Sequence, residues 1–192
     1  MLDTSDIREQ LINEYLAGNI KDTGYDCENG DKYVEVRNVI FEVDKPCIFD
    51  EIVIENKRMD ENWYIRSYDP RIENQFSPLI ERIVENPNTR QAILVLAQQD
   101  ELETPGYVCT IYMHMFLDKK NYNEYDVEYS VHMRSNDSID FVTDVQWHNK
   151  IFSRIVKELK EKTNWKLNRR NIIWNVDSIQ LYSQYFDKIK VK

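Results

Sequence analysis

Between residues 92 and 134 the chain passes through three β-rich runs, a pattern that an all-helical bundle cannot absorb. Ala92-Ile93-Leu94-Val95-Leu96 is wholly apolar, and residues 107–116 and 127–134 flank the polar turn Asp118-Lys119-Lys120-Asn121. The last two are expected to pair as neighbours. Around them the apolar spacing is helical. Ile72, Phe76, Leu79, Ile80, Ile83 and Val84 share one face, and Asn86-Pro87-Asn88 ends that helix, since the residue before a proline is pushed out of the helical region. Ile7, Leu11, Ile12, Tyr15 and Leu16 mark an amphipathic helix over residues 5–17, with Thr4 or Ser5 as its N-cap and Gly18 as its stop. A long helix from about Asp144 buries His148, Ile151, Phe152, Ile155, Val156 and Leu159. Tyr33 to Val43 reads as a strand with a kink, broken by Asp44-Lys45-Pro46, and the apolar-rich runs Ile172-Ile173-Trp174 and Ile179-Gln180-Leu181-Tyr182 close the chain. The expected class is α+β, a mixed, mostly consecutive sheet packed by helices.

Composition narrows the function classes. With 192 residues, no repeat and only four glycines, the chain reads as one domain over residues 1–192. Its 42% apolar and 31% charged residues fit neither disorder nor a membrane span. Met1-Leu2-Asp3-Thr4-Ser5-Asp6 lacks a basic stretch followed by an apolar core, so the expectation is a cytoplasmic protein. That weakens a glycosylation reading of Asn136-Asp137-Ser138 and argues against disulfides among Cys27, Cys47 and Cys109. Twenty-five Lys and Arg against 34 Asp and Glu give a net charge of −9, which repels nucleic acid at long range while leaving room for a small anion. His114, His132 and His148 have no metal-ligand spacing, and no metal is expected.

Two segments carry chemistry. Cys109, in Tyr107-Val108-Cys109-Thr110-Ile111, reads either as a buried small apolar residue or as a nucleophile. The second role needs a lowered pKa, a nearby cation and a pocket for an electrophile. Arg134 is the candidate cation, because the strand pairing around residues 117–126 can bring it near Cys109. Arg134-Ser135-Asn136-Asp137 combines a guanidinium fork with a hydroxyl, a set suited to phosphate or simply to a polar loop. Arg90 is a second possible phosphate ligand or a surface residue at a strand start.

Taken together, Val108-Cys109-Thr110, Val131 through Asp137, and Ile172 through Ser183 resemble the thymidylate synthase superfamily, and within it the phage-type deoxycytidylate hydroxymethylases. The resemblance implies that Cys109 adds to carbon 6 of a pyrimidine nucleoside monophosphate, so that carbon 5 attacks the one-carbon unit of methylenetetrahydrofolate. It also implies that Arg134 and Ser135 hold the phosphate and that Tyr182 binds the sugar hydroxyl. Arg90 would reach the partner's nucleotide in a homodimer with two shared sites. Asp137 and Gln180 join the substrate residues, Gln180 standing where relatives carry histidine. At the start of the helix after the arginine motif, Asp144 matches the aspartate by which cytosine-specific relatives read the base; an N-cap role is the alternative. Glu61, rather than Asp60, matches the catalytic glutamate ahead of Trp63-Tyr64, and Trp63 falls in the folate half.

Relatives carry a longer passage between the positions of Trp63 and Arg90 and continue beyond that of Tyr182, so the expected fold is truncated in its folate-binding region and C-terminal tail. The leading expectation is a hydroxymethylase of phage type, located in the host cytoplasm. A nucleotide-binding pseudoenzyme or assembly subunit is the first alternative. Thymidylate synthesis is the second, disfavoured by Asp144 and Gln180.

Overall fold

The computed structural model describes residues 1–24, 31–52, 61–98 and 108–189. Its elements are β1 (Leu2–Asp3), α1 (Thr4–Leu16), β2 (Lys21–Asp22), β3 (Lys32–Glu42), α2 (Glu61–Ser67), α3 (Asp69–Glu85), β4 (Ile93–Val95), β5 (Thr110–Asn121), β6 (Glu124–Met133), β7 (Asn136–Asp137), α4 (Phe141–Lys162) and β8 (Lys166–Tyr182), followed by a 3₁₀ turn over Ser183–Lys188. The main sheet order is β1-β3-β8-β6-β5-β4, with β2 on β3 and β7 on β8.

β5 and β6 form the expected antiparallel neighbours, and β4 extends them in sequence order. The closing strand departs from that consecutive scheme. β8 enters between β3 and β6, antiparallel to the first and parallel to the second, which makes the sheet mixed. The two closing apolar runs are one strand of 17 residues, because Asn175, Val176 and Ser178 continue the ladder between them. The kink expected within the strand is at Asn38, whose φ is 53°, a left-handed conformation that asparagine tolerates better than most side chains. Across it the buried positions of β3 change phase, from Val39 and Phe41 to Val34, and β8 changes with it, from Trp174 and Val176 to Ile179 and Leu181.

The helices cover the core. α4 begins at Phe141, three residues before the expected start at Asp144, and buries the whole predicted stripe from His148 to Leu159. Phe152 stacks on Tyr129 of β6 at 5.0 Å. The N-cap of α1 is Asp3, not Thr4 or Ser5: its carboxylate accepts from the Ser5 and Asp6 amides, and Asp6 accepts from the Asp3 amide in return. Thr4 is instead buried and donates to the Asp44 carboxylate. Leu16 is 60% exposed and not part of the buried stripe, while its neighbour Tyr15 packs on Phe186.

β4 is an edge strand, not a fully buried one: Ala92, Leu94 and Leu96 point inward while Ile93 and Val95 face out. α3 lies along it. Arg71 donates to the Leu96 carbonyl at 3.0 Å, and the Gln75 side chain donates to the Val95 carbonyl at 2.7 Å while accepting from the Val95 amide at 2.9 Å. Among the described residues no helix is long and apolar enough to cross a membrane. Asp3→Ala should lower unfolding stability by about 1 kcal/mol, read as a shift of the urea midpoint at unchanged slope.

Candidate active site

Antiparallel pairing of β5 with β6 sets the end of one beside the start of the other. Cys109 lies just before β5 and Arg134 just after β6, and the Arg134 amide donates to the Cys109 carbonyl at 2.9 Å. The ladder slips between Thr110 and Tyr112, an irregularity of the kind that re-aims side chains at a site. Arg134 Nε donates to the Val108 carbonyl at 3.1 Å, Arg134 Nη1 to Ser135 Oγ at 3.2 Å, and Ser135 Oγ to Cys109 Sγ at 3.6 Å. Thiol, hydroxyl and guanidinium thus form one linked group. Cys109 is half-buried and Arg134 exposed.

The lowered thiol pKa expected of a nucleophile is not what the geometry gives. Burial pushes the Cys109 thiol up, Arg134 and Ser135 pull it back, and the Asp144 and Asp137 carboxylates push with burial, for a net rise. The thiol is therefore protonated at neutral pH.

Asp144 occupies the first turn of α4 but does not cap it; the cap position is Asp140. Its carboxyl is 5% exposed, with Oδ1 accepting from the Tyr64 hydroxyl at 2.5 Å and Oδ2 from Asn136 Nδ2 at 2.6 Å. Asn136 Oδ1 accepts from the Trp174 indole at 3.2 Å. A side chain held in this way, 2% exposed, is no glycosylation acceptor. Burial pushes the Asp144 carboxyl up to about 7, with Asp140 adding repulsion, against the lowering pull of Tyr64 and Asn136.

β7 pairs in parallel with β8, placing Asp137 beside Gln180, and the Ser138 amide donates to the Gln180 carbonyl at 2.8 Å. Asp137 Oδ1 accepts from the Ile139 amide at 2.8 Å. Gln180 Nε2 donates to Ser178 Oγ at 2.6 Å, and Tyr182 packs on Tyr33 with ring centroids 5.9 Å apart. All of these lie toward the end of the sheet that holds Cys109. Arg90 does not: its backbone meets the His114 side chain, five strand positions from Cys109, roughly 17 Å away. Trp63 is half-buried against Tyr64 and Tyr68, each at 5.1 Å. Glu61 opens α2, but its side chain, like Asp60, Tyr107 and Cys27, lies outside the described residues.

Sequence reasoning missed Tyr64 and Asn136 as partners of Asp144, and Trp174 as the donor behind Asn136. Tyr68 was missed too; its hydroxyl meets the Thr110 amide at 3.5 Å. A donor-bearing aromatic inside an otherwise apolar stripe was the available signal, because a buried Tyr or Trp needs a partner.

No family model matches the chain. Fold comparison finds the thermostable thymidylate synthase A from Bacillus subtilis at a TM-score of 0.61 and 15% identity, covering 96% of this chain and 82% of that one. The architecture is that of a thymidylate synthase, a mixed sheet packed by helices. In sequence the chain is 26% identical over 152 residues to the deoxycytidylate 5-hydroxymethyltransferases of Enterobacteria phages T4 and T2, covering 73% of this chain. It spans 58% of the length of these relatives. Sequence and fold are thus both similar to the thymidylate synthase superfamily, the sequence to its deoxycytidylate hydroxymethylases.

An unfolded aspartate titrates near ~3.9. Between about pH 4 and pH 7 the native protein therefore holds an Asp144 proton that the unfolded chain has released, and stability falls as pH rises through that window. Asp144→Asn should flatten this decline, measured as unfolding free energy against pH in urea.

Proposed function

We propose that the protein is a one-carbon transferase acting at carbon 5 of a pyrimidine nucleoside monophosphate, with deoxycytidylate hydroxymethylation as the specific reaction. The observation that carries this is the convergence of Cys109, Arg134, Ser135 and the buried Asp144 at one end of the sheet. In this reading Arg134 and Ser135 hold the phosphate, Tyr182 the sugar hydroxyl, and Asp137 and Gln180 line the substrate side. Cys109 Sγ bonds to carbon 6 as the carbon 5–carbon 6 double bond opens toward carbon 5 and the thiol proton passes to solvent, and the raised thiol pKa makes that loss part of the barrier. Asp144 faces the base edge, where a carboxyl that is neutral near pH 7 can both donate and accept. Glu61, by the family resemblance, is the further carboxylate assigned to proton and water steps.

Methylenetetrahydrofolate, implied by the family, would supply the electrophilic carbon. The half-buried Trp63, backed by Tyr64 and Tyr68, offers a flat ring a stacking surface and is the residue assigned to hold it. Arg90, remote from Cys109 within one chain, serves the site of a second copy in this reading, giving a homodimer with shared sites. A second reading, nucleotide binding without transfer, draws on the protonated resting thiol.

Wild-type protein should exchange the carbon 5 hydrogen of deoxycytidylate with deuterated solvent without folate, followed by proton NMR, and Cys109→Ala should abolish it. Exchange absent despite measurable nucleotide binding favours the second reading. Mixed dimers of Cys109→Ala and Arg90→Ala subunits should regain about a quarter of wild-type exchange, since half the dimers are mixed and each has one intact site. No recovery on mixing would remove Arg90 from the shared site.

A further inference from the structure

Trp174, Asn136, Asp144 and Tyr64 form a buried hydrogen-bond chain that can be read in one direction only. An indole N–H donates and cannot accept, so the contact from Trp174 Nε1 fixes the Asn136 oxygen toward Trp174. The Asn136 amide nitrogen is then committed to Asp144 Oδ2 as a donor. A proton on Oδ2 would face that donor. Oδ1 faces the Tyr64 hydroxyl, which can rotate, donating to a carboxylate or accepting from an acid. The ionisable groups facing Asp144 are Asp140 from α4, Tyr64 from α2, Tyr68 from the α2–α3 junction and Cys109 before β5.

We propose that Trp174 and Asn136 confine the Asp144 proton to Oδ1, beside Tyr64, and that the resulting fixed order of donor and acceptor selects cytosine over uracil. Cytosine presents an acceptor at N3 and a donor at its exocyclic amine, whereas uracil presents a donor at N3 and an acceptor at O4. With the Tyr64 hydroxyl turned to donate to Oδ1, the Oδ1 proton is left for N3 while Oδ2 accepts from the amine, an order that matches the first base and opposes the second. Trp174 and Tyr64 are thus positioning residues that act on base choice through Asp144. This rests on the proposed function, because it requires Asp144 to face the base.

Trp174→Phe keeps the aromatic packing on Phe141 and His148 but removes the donor, so the Asn136 amide is free to turn over. Two measurements test the chain. Carbon-13 NMR of protein labelled at aspartate carboxyls, without nucleotide, should show one carboxyl titrating near pH 7, identified by its loss in Asp144→Asn. Its midpoint should rise in Trp174→Phe, where the turned amide accepts from the acid, and in Tyr64→Phe, where the carboxylate loses a donor. By calorimetry, preference for deoxycytidylate over deoxyuridylate should fall about tenfold in Trp174→Phe. A wild-type midpoint in Trp174→Phe overturns the directional chain whether or not nucleotide binds. Unchanged preference alongside a moved midpoint overturns the link to base choice, and Tyr64→Phe decides the midpoint should Trp174→Phe not fold. Failure of wild-type protein to bind either nucleotide sinks the functional reading, and the base-choice claim with it.

Discussion

The insertion of β8 between β3 and β6 is the constraint on which the rest of the molecule depends. Among the described residues, β8 is the sole link along the main sheet path between the β1–β3 side and the β6–β5–β4 side. Its parallel register with β6 sets Trp174 level with Val131, close beneath the segment that carries Asn136. Its pairing with β7 brings Asp137 to Gln180. A slip of one residue would turn Trp174 to the opposite face and break the contact with Asn136. Strand register and the chemistry of Asp144 are therefore set by the same ladder.

Much of this was legible in the sequence, for local reasons. The helical stripes of α3 and α4 and the β5–β6 pairing rest on spacing and turn chemistry, and from the pairing the meeting of Cys109 with Arg134 follows. What could not be read depends on separations that spacing does not reach. Tyr64 and Asp144 are 80 residues apart, and Trp174 and Asn136 are 38. The continuity of β8 was hidden by Asn175, Asp177 and Ser178, polar residues on its more exposed positions. The direction of the Cys109 shift was also out of reach, because it depends on how far burial outweighs one exposed guanidinium.

Thiol and carboxyl share a physical setting. Burial pushes both toward their neutral forms, and the partners near each, Arg134 and Ser135 for Cys109, Tyr64 and Asn136 for Asp144, pull the other way. At neutral pH the thiol is neutral and the carboxyl only partly ionised, which lowers the cost of keeping the pair away from water. Reactivity in the proposed reaction then depends on protons moving as bonds form.

The contact between Gln75 and Val95 has a consequence away from the site. A carboxamide carries a donor and an acceptor in the same order as a peptide group, so Gln75 stands in for one residue of a neighbouring strand. With Arg71 on the Leu96 carbonyl, the main chain at Val95 and Leu96 is occupied where another strand would otherwise pair. The protein can thus keep the Val95 side chain in contact with solvent while the main chain there is closed to the strand-by-strand addition from which fibrils grow.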